Sequence, residues 1–169
     1  IPDRLVEGYG LSRTGVDRLA AGGATLIITV DCGVTAHQEV DFAKERGLDV
    51  VVIDHHTVPV MLPRAVSVIN PHRDDCARGS EMLCAVGVTF NLCMALRRHL
   101  RQRGFFSATR PEPDLKDALD LVALGTVADV VSLVGFFRHR PGSRNARVGH
   151  AVGRRRSAVS RPGLRGAGS

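Results

Sequence analysis

The chain switches between two hydrophobic rhythms. Thr25-Leu26-Ile27-Ile28-Thr29-Val30 and Val50-Val51-Val52-Ile53 are short, β-branched and almost unbroken by polar residues. A run of this kind, without alternation, reads as a strand buried in a parallel sheet. Each run stops on polar residues, the first at Asp31-Cys32-Gly33 and the second at Asp54-His55-His56. Between them Thr35, followed three residues later by Gln38, has the form of a capping box. The helix it would open carries Val40, Phe42 and Ala43 inward and ends near Gly47. The pattern is β-α-β, which requires a parallel pair with a crossover. Upstream, Ser12 is placed to cap a short helix through about Ala21, which Gly22-Gly23 stops.

Downstream the rhythm weakens and then becomes helical. Residues 57–80 read as loop, with Pro59, Pro63 and Pro71, interrupted by a short apolar strand from Ala65 to Ile69. A long helix is expected from Glu81 to about Arg101, with small residues at Ala85 and Gly87 near its start. Residues 103–113 form a linker, and Asp114 can cap a further helix carrying Leu115, Ala118, Leu119, Val122 and Ala123. Leu124 to Val131 should break that helix. On local pattern alone Asp129, inside this stretch, is a turn residue.

Composition changes the picture in one respect. The net charge of +6 suggests a basic protein, but nine arginines and no acidic residue lie from Arg138 onward. Residues 1–137 hold 14 basic and 17 acidic residues. The body is therefore mildly acidic, and the basic character belongs to residues 136–169, which read as a disordered arginine-rich tail. The tail also raises an alternative, a non-catalytic nucleic-acid binder. No apolar run approaches the roughly 18–20 residues that span a bilayer. The opening Ile1-Pro2-Asp3-Arg4 has no secretory pattern and suggests a fragment or a processed start. Cys32, Cys76, Cys84 and Cys93 show no CxxC spacing. Reduced thiols in a cytoplasmic protein fit better than a zinc site on His72, Cys76 and Cys84.

Candidate chemistry sits at the strand ends. Burying a carboxylate or an imidazole is costly unless something pairs with it, and ligands of open α/β sheets collect beyond the carboxyl ends of the strands. Asp31 and Asp54 should stand at matching ends of neighbouring strands, about 4.8 Å apart. Two metal ions in a phosphoryl-transfer site lie about 3.5–4 Å apart. Asp31, His55 and nearby groups could therefore address one metal pair without distorting the sheet.

EGYGLS at 7–12, VDCG at 30–33, DHH at 54–56, LCAVGV at 83–88 and DLVALGTVADVVSLVG at 120–135 resemble, in order and spacing, the DHH phosphoesterase family. Within it, the likeness is closest to the bacterial exonucleases specific for single-stranded DNA. It covers residues 1–135, a partial DHH domain, and implies a Rossmann-like α/β fold, a parallel β-sheet with flanking helices, incomplete at both ends. It also implies metal-dependent hydrolysis of phosphodiesters in single-stranded DNA from the 5′ end, in repair or recombination. The cofactor would be Mn²⁺ or Mg²⁺. The partners would be single-stranded DNA and a single-strand-binding protein, with no membrane. By the resemblance Asp31, His55 and Asp129 are metal ligands, and Asp54 and His56 support the ligands and the phosphate as catalytic residues. A hydrolase of small phosphoesters or short oligonucleotides is the related alternative.

Four departures shape the expectation. The family's first Asp-rich motif and its second, phosphate-binding domain are not in this sequence, and the pattern changes abruptly after about Val134, as a truncation or a shifted reading frame would make it. Ala85 stands where the family commonly has Gly. With three carboxylates against four charges on two metal ions, the isolated chain is expected to hold metal weakly and to have little or no activity.

Overall fold

The computed structural model describes residues 9–76 and 83–131. The expected loop at residues 7–8, the helix start at Glu81-Met82, the motif's end at 132–135 and the arginine-rich tail lie outside the described residues. The elements are α1 (Arg13–Ala21), β1 (Leu26–Val30), α2 (His37–Glu45), β2 (Asp49–Ile53), β3 (Ser67–Ile69), α3 (Ala85–Gln102), a 3₁₀ turn (Leu115–Ala118) and α4 (Leu119–Ala128). The sheet is parallel throughout, in the order β1-β2-β3.

The central strand explains the unbroken apolar run. On one face Val50 and Val52 join Val16 of α1 and Val40 and Ala43 of α2 in the main core. On the other, Ile53 packs with Leu83 and Val88, and Val51 and Ile69 lie against the same cluster. β1 differs. Ile27 and Thr29 are buried, but Leu26, Ile28 and Val30 on the opposite face are about half exposed, at 48%, 55% and 47%. Its β-branched composition suits burial on both faces; among the described residues only one face is covered, and β1 forms an edge of the sheet.

Helix ends follow side-chain chemistry in some places and not in others. Ser12 caps α1 by accepting from the Gly15 N–H at 3.1 Å. Asp114 accepts from the Lys116 N–H at 3.0 Å, but the element it opens is a 3₁₀ turn before α4. The capping box expected at Thr35 does not form. The N-cap of α2 is Ala36, with no side-chain bond, because residues 33–37 make a tight turn in which the Ala36 N–H donates to the Gly33 carbonyl. The expected break at Leu124 is also absent, since α4 runs to Ala128 with Asp129 as its C-cap. Buried Thr126 bonds back to the Val122 carbonyl at 2.6 Å. Gly125, mid-helix, allows close approach to α3, for a Cβ there would meet Val86 Cγ1 at 2.7 Å. The strand after the loop is shorter than expected, Ser67–Ile69, and α3 starts at Ala85 with Cys84 as N-cap.

Candidate metal centre

Strand register assembles the site. Val30 pairs with Ile53, and Ile53 with Ile69. The next residue on each strand is polar: Asp31, Asp54 and Asn70. Three parallel strands thus deliver three polar side chains to one edge, the expected place for a ligand in an open α/β sheet.

Asp54 organises this edge. It is 1% exposed. Its Oδ2 accepts from the Val34 N–H at 2.9 Å. Its Oδ1 accepts from the backbone N–H of His55 at 2.8 Å and of His56 at 3.2 Å, and meets His56 Nδ1 at 2.7 Å. Burial, the largest single influence, pushes the carboxyl's pKa up, but the hydrogen bonds from Val34, His56 and His55 together outweigh it and hold the pKa below the ordinary carboxylate range. The same contact raises the pKa of His56. Burial, reinforced by the charges of Asp54 and Asp31, raises the pKa of the Cys32 thiol. With both oxygens of Asp54 committed to the protein, the carboxylate positions two loops instead of facing outward.

The outward-facing cluster is made by Asp31, His55 and Asp129. His55 Nε2 lies 3.1 Å from Asp31 Oδ1 and 3.3 Å from Asp129 Oδ2. The His55 side chain is 13% exposed. Its Nε2 and Asp31 Oδ1 are both buried and both lack a hydrogen-bond partner among the described residues. A buried polar atom without a partner costs about 1–3 kcal/mol, and here two such atoms face each other with a carboxylate beside them. A divalent cation would satisfy the two buried atoms, so the donor set fits one; the ligand atoms that all lie within 4.8 Å of one another belong to Asp31, His55 and His56, with Asp129 beside them at the His55 ring nitrogen. His56 also has a ring nitrogen within 4.8 Å of ligand atoms on Asp31 and His55, but its Nδ1 is held by Asp54. His72, Cys76 and Cys84 form no comparable group among the described residues, so the zinc alternative has no geometry behind it.

All five residues singled out from the sequence meet at this edge, in two roles. Asp31, His55 and Asp129 converge through their side chains, while Asp54, buried, bonds to the exposed ring of His56 beside them. Asp129 reaches the cluster from the C-cap of α4. A cavity of about 440 Å³ opens beside the cluster, bounded by Val30, Asp31, Ala85, Val86, Thr89 and Asp129 among others. Two residues were missed. Asn70, buried, donates to the His56 carbonyl at 2.9 Å and accepts from the His72 N–H at 2.8 Å. Tyr9 donates its hydroxyl proton to the Asp31 carbonyl at 3.1 Å. The signal for Asn70 was present in the sequence: it is the polar residue that ends the third apolar run. Tyr9 carries no such signal.

Gly33 makes the turn beneath Asp31 possible. Its φ is +110°, and a Cβ there would lie 2.7 Å from Thr29 Oγ1 and 3.3 Å from Val52 Cγ1. Gly33→Ala should lower folding stability by about 2 kcal/mol, from backbone strain and overpacking together. Urea unfolding followed by circular dichroism checks this; a change within about 0.5 kcal/mol would show that the turn relaxes freely.

The class defined by these features is a parallel α/β domain that gathers carboxylates and imidazoles beyond its strand ends. The model of the DHH family's N-terminal domain matches residues 1–126. The chain belongs to the DHH family. It is 46% identical over 166 residues to the single-stranded-DNA-specific exonuclease RecJ of Dickeya dadantii, a match spanning 98% of this chain and 28% of that protein. It is 48% identical over 134 residues to RecJ of Escherichia coli, spanning 79% of this chain and 23% of that protein. The chain thus spans about a quarter of the length of these relatives. Among solved structures, exonuclease RecJ bound to manganese is similar with a TM-score of 0.64 and 36% identity, over 80% of this chain and 31% of that one. RecJ from Thermus thermophilus in complex with Mn²⁺ is similar with a TM-score of 0.60 and 30% identity, over 88% of this chain and 19% of that one.

Proposed function

We propose that this chain carries metal-binding machinery of a divalent-metal-dependent exonuclease that hydrolyses single-stranded DNA from its 5′ end. The observation that carries the reading is the pair of buried ligand atoms on Asp31 and His55, 3.1 Å apart and without a hydrogen bond, with Asp129 alongside. Support also comes from relatives named as single-stranded-DNA-specific exonucleases and from neighbours solved with Mn²⁺. In this reading residues 1–135 are a partial DHH domain and 136–169 a separate tail. A single-strand-binding protein is a partner and the cytoplasm the location. No helix of the described residues is long and apolar enough to cross a membrane.

Asp31, His55 and Asp129 would hold Mn²⁺ or Mg²⁺, since carboxylate and imidazole suit such ions and no thiolate is needed. A bound divalent ion supplies Lewis-acid polarisation of a phosphoryl oxygen and eases deprotonation of water. The protein's own groups do the rest. Asp54 fixes the His56 ring through Nδ1 and keeps it protonated to higher pH than an ordinary histidine, so that it presents positive charge to a phosphate. The backbone N–H groups of His55 and His56 are directed onto Asp54 and lock the loop that carries both rings.

Charge sets the stoichiometry. Two outward carboxylates balance one divalent ion, because Asp54 is fully engaged within the protein. The 169-residue chain should therefore bind one Mn²⁺ and, with 5′-labelled single-stranded DNA and Mn²⁺, release little or no nucleotide. Brisk release that disappears in Asp31→Asn would refute the expected inactivity. Absence of any Mn²⁺ binding would refute the metal-site reading itself.

A further inference from the structure

The acidic site lies at one end of α3, and the opposite end carries the reverse charge. No acidic residue occurs from Met82 to Pro111, while Arg97, Arg98, Arg101, Arg103 and Arg110 all fall in the last part of that stretch. Ala85, Val86 and Thr89, in the first turns of α3, line the cavity beside Asp31 and Asp129. The helix has 18 residues, so its far end stands about 27 Å away. Cations at a helix C-terminus complement the macrodipole, but one or two suffice for that.

Two of these five arginines are held in ion pairs among the described residues. Arg97 and Arg101 share one carboxylate, Glu112. Arg98 and Arg103 are exposed and have no ion pair among the described residues. Arg110 stacks its guanidinium over the Phe105 ring at 4.3 Å, and Phe106 meets Phe105 edge-on at 5.6 Å. Phe105 is 44% exposed. Arg110 lies over an exposed aromatic ring, and the unpaired Arg98 and Arg103 stand at the end of the helix that leads to it; cations and an aromatic ring are the two elements of a surface for single-stranded nucleic acid, one for phosphates and one for base faces. An acidic peptide would use the charge but not the ring.

We propose that the C-terminal end of α3 and the turn after it, Arg98, Arg103, Phe105 and Arg110, form a second contact for single-stranded DNA, remote from the metal centre. The inference deepens the reading of the chain as one that acts on such DNA. Mn²⁺ binding tests that reading without involving these residues, so the two can fail separately. The test is fluorescence anisotropy of a labelled oligo-dT with the full chain over a range of salt concentrations. Arg98→Gln/Arg103→Gln is compared with a control, Arg13→Gln/Arg18→Gln, on exposed arginines of α1. The tail contributes equally to every variant.

Each phosphate contact on a single strand adds about 0.7 to the slope of log affinity against log salt, so the double variant should lose about 1.4. The wild-type advantage should then shrink about sevenfold between 50 and 200 mM salt. Phe105→Ala should weaken binding about tenfold with the slope unchanged, as loss of base stacking would. An unchanged slope in Arg98→Gln/Arg103→Gln, or an equal fall in the α1 control, would overturn the proposal. So would loss of binding to an oligoglutamate peptide with DNA affinity intact, which would make the surface a site for an acidic protein. Circular dichroism confirms that the variants remain folded.

Discussion

Asp54→Ala is expected to cost about 3–5 kcal/mol of folding stability, the range for breaking a buried, hydrogen-bonded charge network. The carboxylate is 1% exposed and receives bonds from Val34, His55 and His56. Removing it leaves the Val34, His55 and His56 N–H groups without their acceptor and opens a gap between the β1–α2 turn and the loop after β2. A small domain has about 5–15 kcal/mol of stability in all, so the alanine variant stands near its limit. Asp54→Asn is the milder probe. The amide keeps one acceptor oxygen but sets an NH₂ against a backbone N–H, so a smaller loss in the same direction is expected. Urea unfolding of both variants measures the effect; a loss below about 1 kcal/mol for the alanine variant would show that the two loops hold their positions without it.

Adding Mn²⁺ is expected to stabilise the chain by about 2.7 kcal/mol once free metal reaches a hundredfold excess over its dissociation constant. The gain should be reversed by chelator and lost in Asp31→Asn and Asp129→Asn. Asp31 Oδ1 and His55 Nε2 are buried and 3.1 Å apart without a hydrogen bond to any group, and Asp129 Oδ2 stands 3.3 Å from the same ring nitrogen. A cation turns a costly arrangement into a satisfied one, and the unfolded chain has no equivalent site. Titration calorimetry gives the stoichiometry alongside the thermal shift. Two ions bound with equal affinity would overturn the account of Asp54 as a purely internal carboxylate.

The sequence made the strand ends legible because they combine two unmistakable signals, an unbroken apolar run and an abrupt charge. Asp31, Asp54 and His55 could be placed on that basis. Asp129 could not: it caps a helix at residue 128, and nothing in its immediate pattern points to a cluster formed by residues some 75 and 100 positions earlier. Only the likeness to the DHH family brought it forward. The capping box at Thr35 misled because its spacing was right while the chain there had another constraint. The turn at Gly33 has to pass close to Thr29 and present the Val34 N–H to Asp54. The end of α4 misled for a similar reason. Gly125 looks like a helix breaker in isolation, yet it is the residue that lets Val86 of α3 come close. In each case a tertiary contact, invisible to a local window, decided the backbone.

Asp31 has a φ of +66°, and this narrows what evolution or an experimenter can place there. Left-handed backbone at a non-glycine position is accepted most readily by Asn and Asp. Glutamate would preserve the negative charge but fit the turn poorly. Glycine would fit the turn and bring no ligand, and alanine would fail on both counts, mixing strain with lost chemistry. Asparagine removes the charge while keeping the side chain's shape and leaving the chain's path unburdened. Position 31 thus answers two independent demands at once, and among the twenty amino acids aspartate is where they intersect.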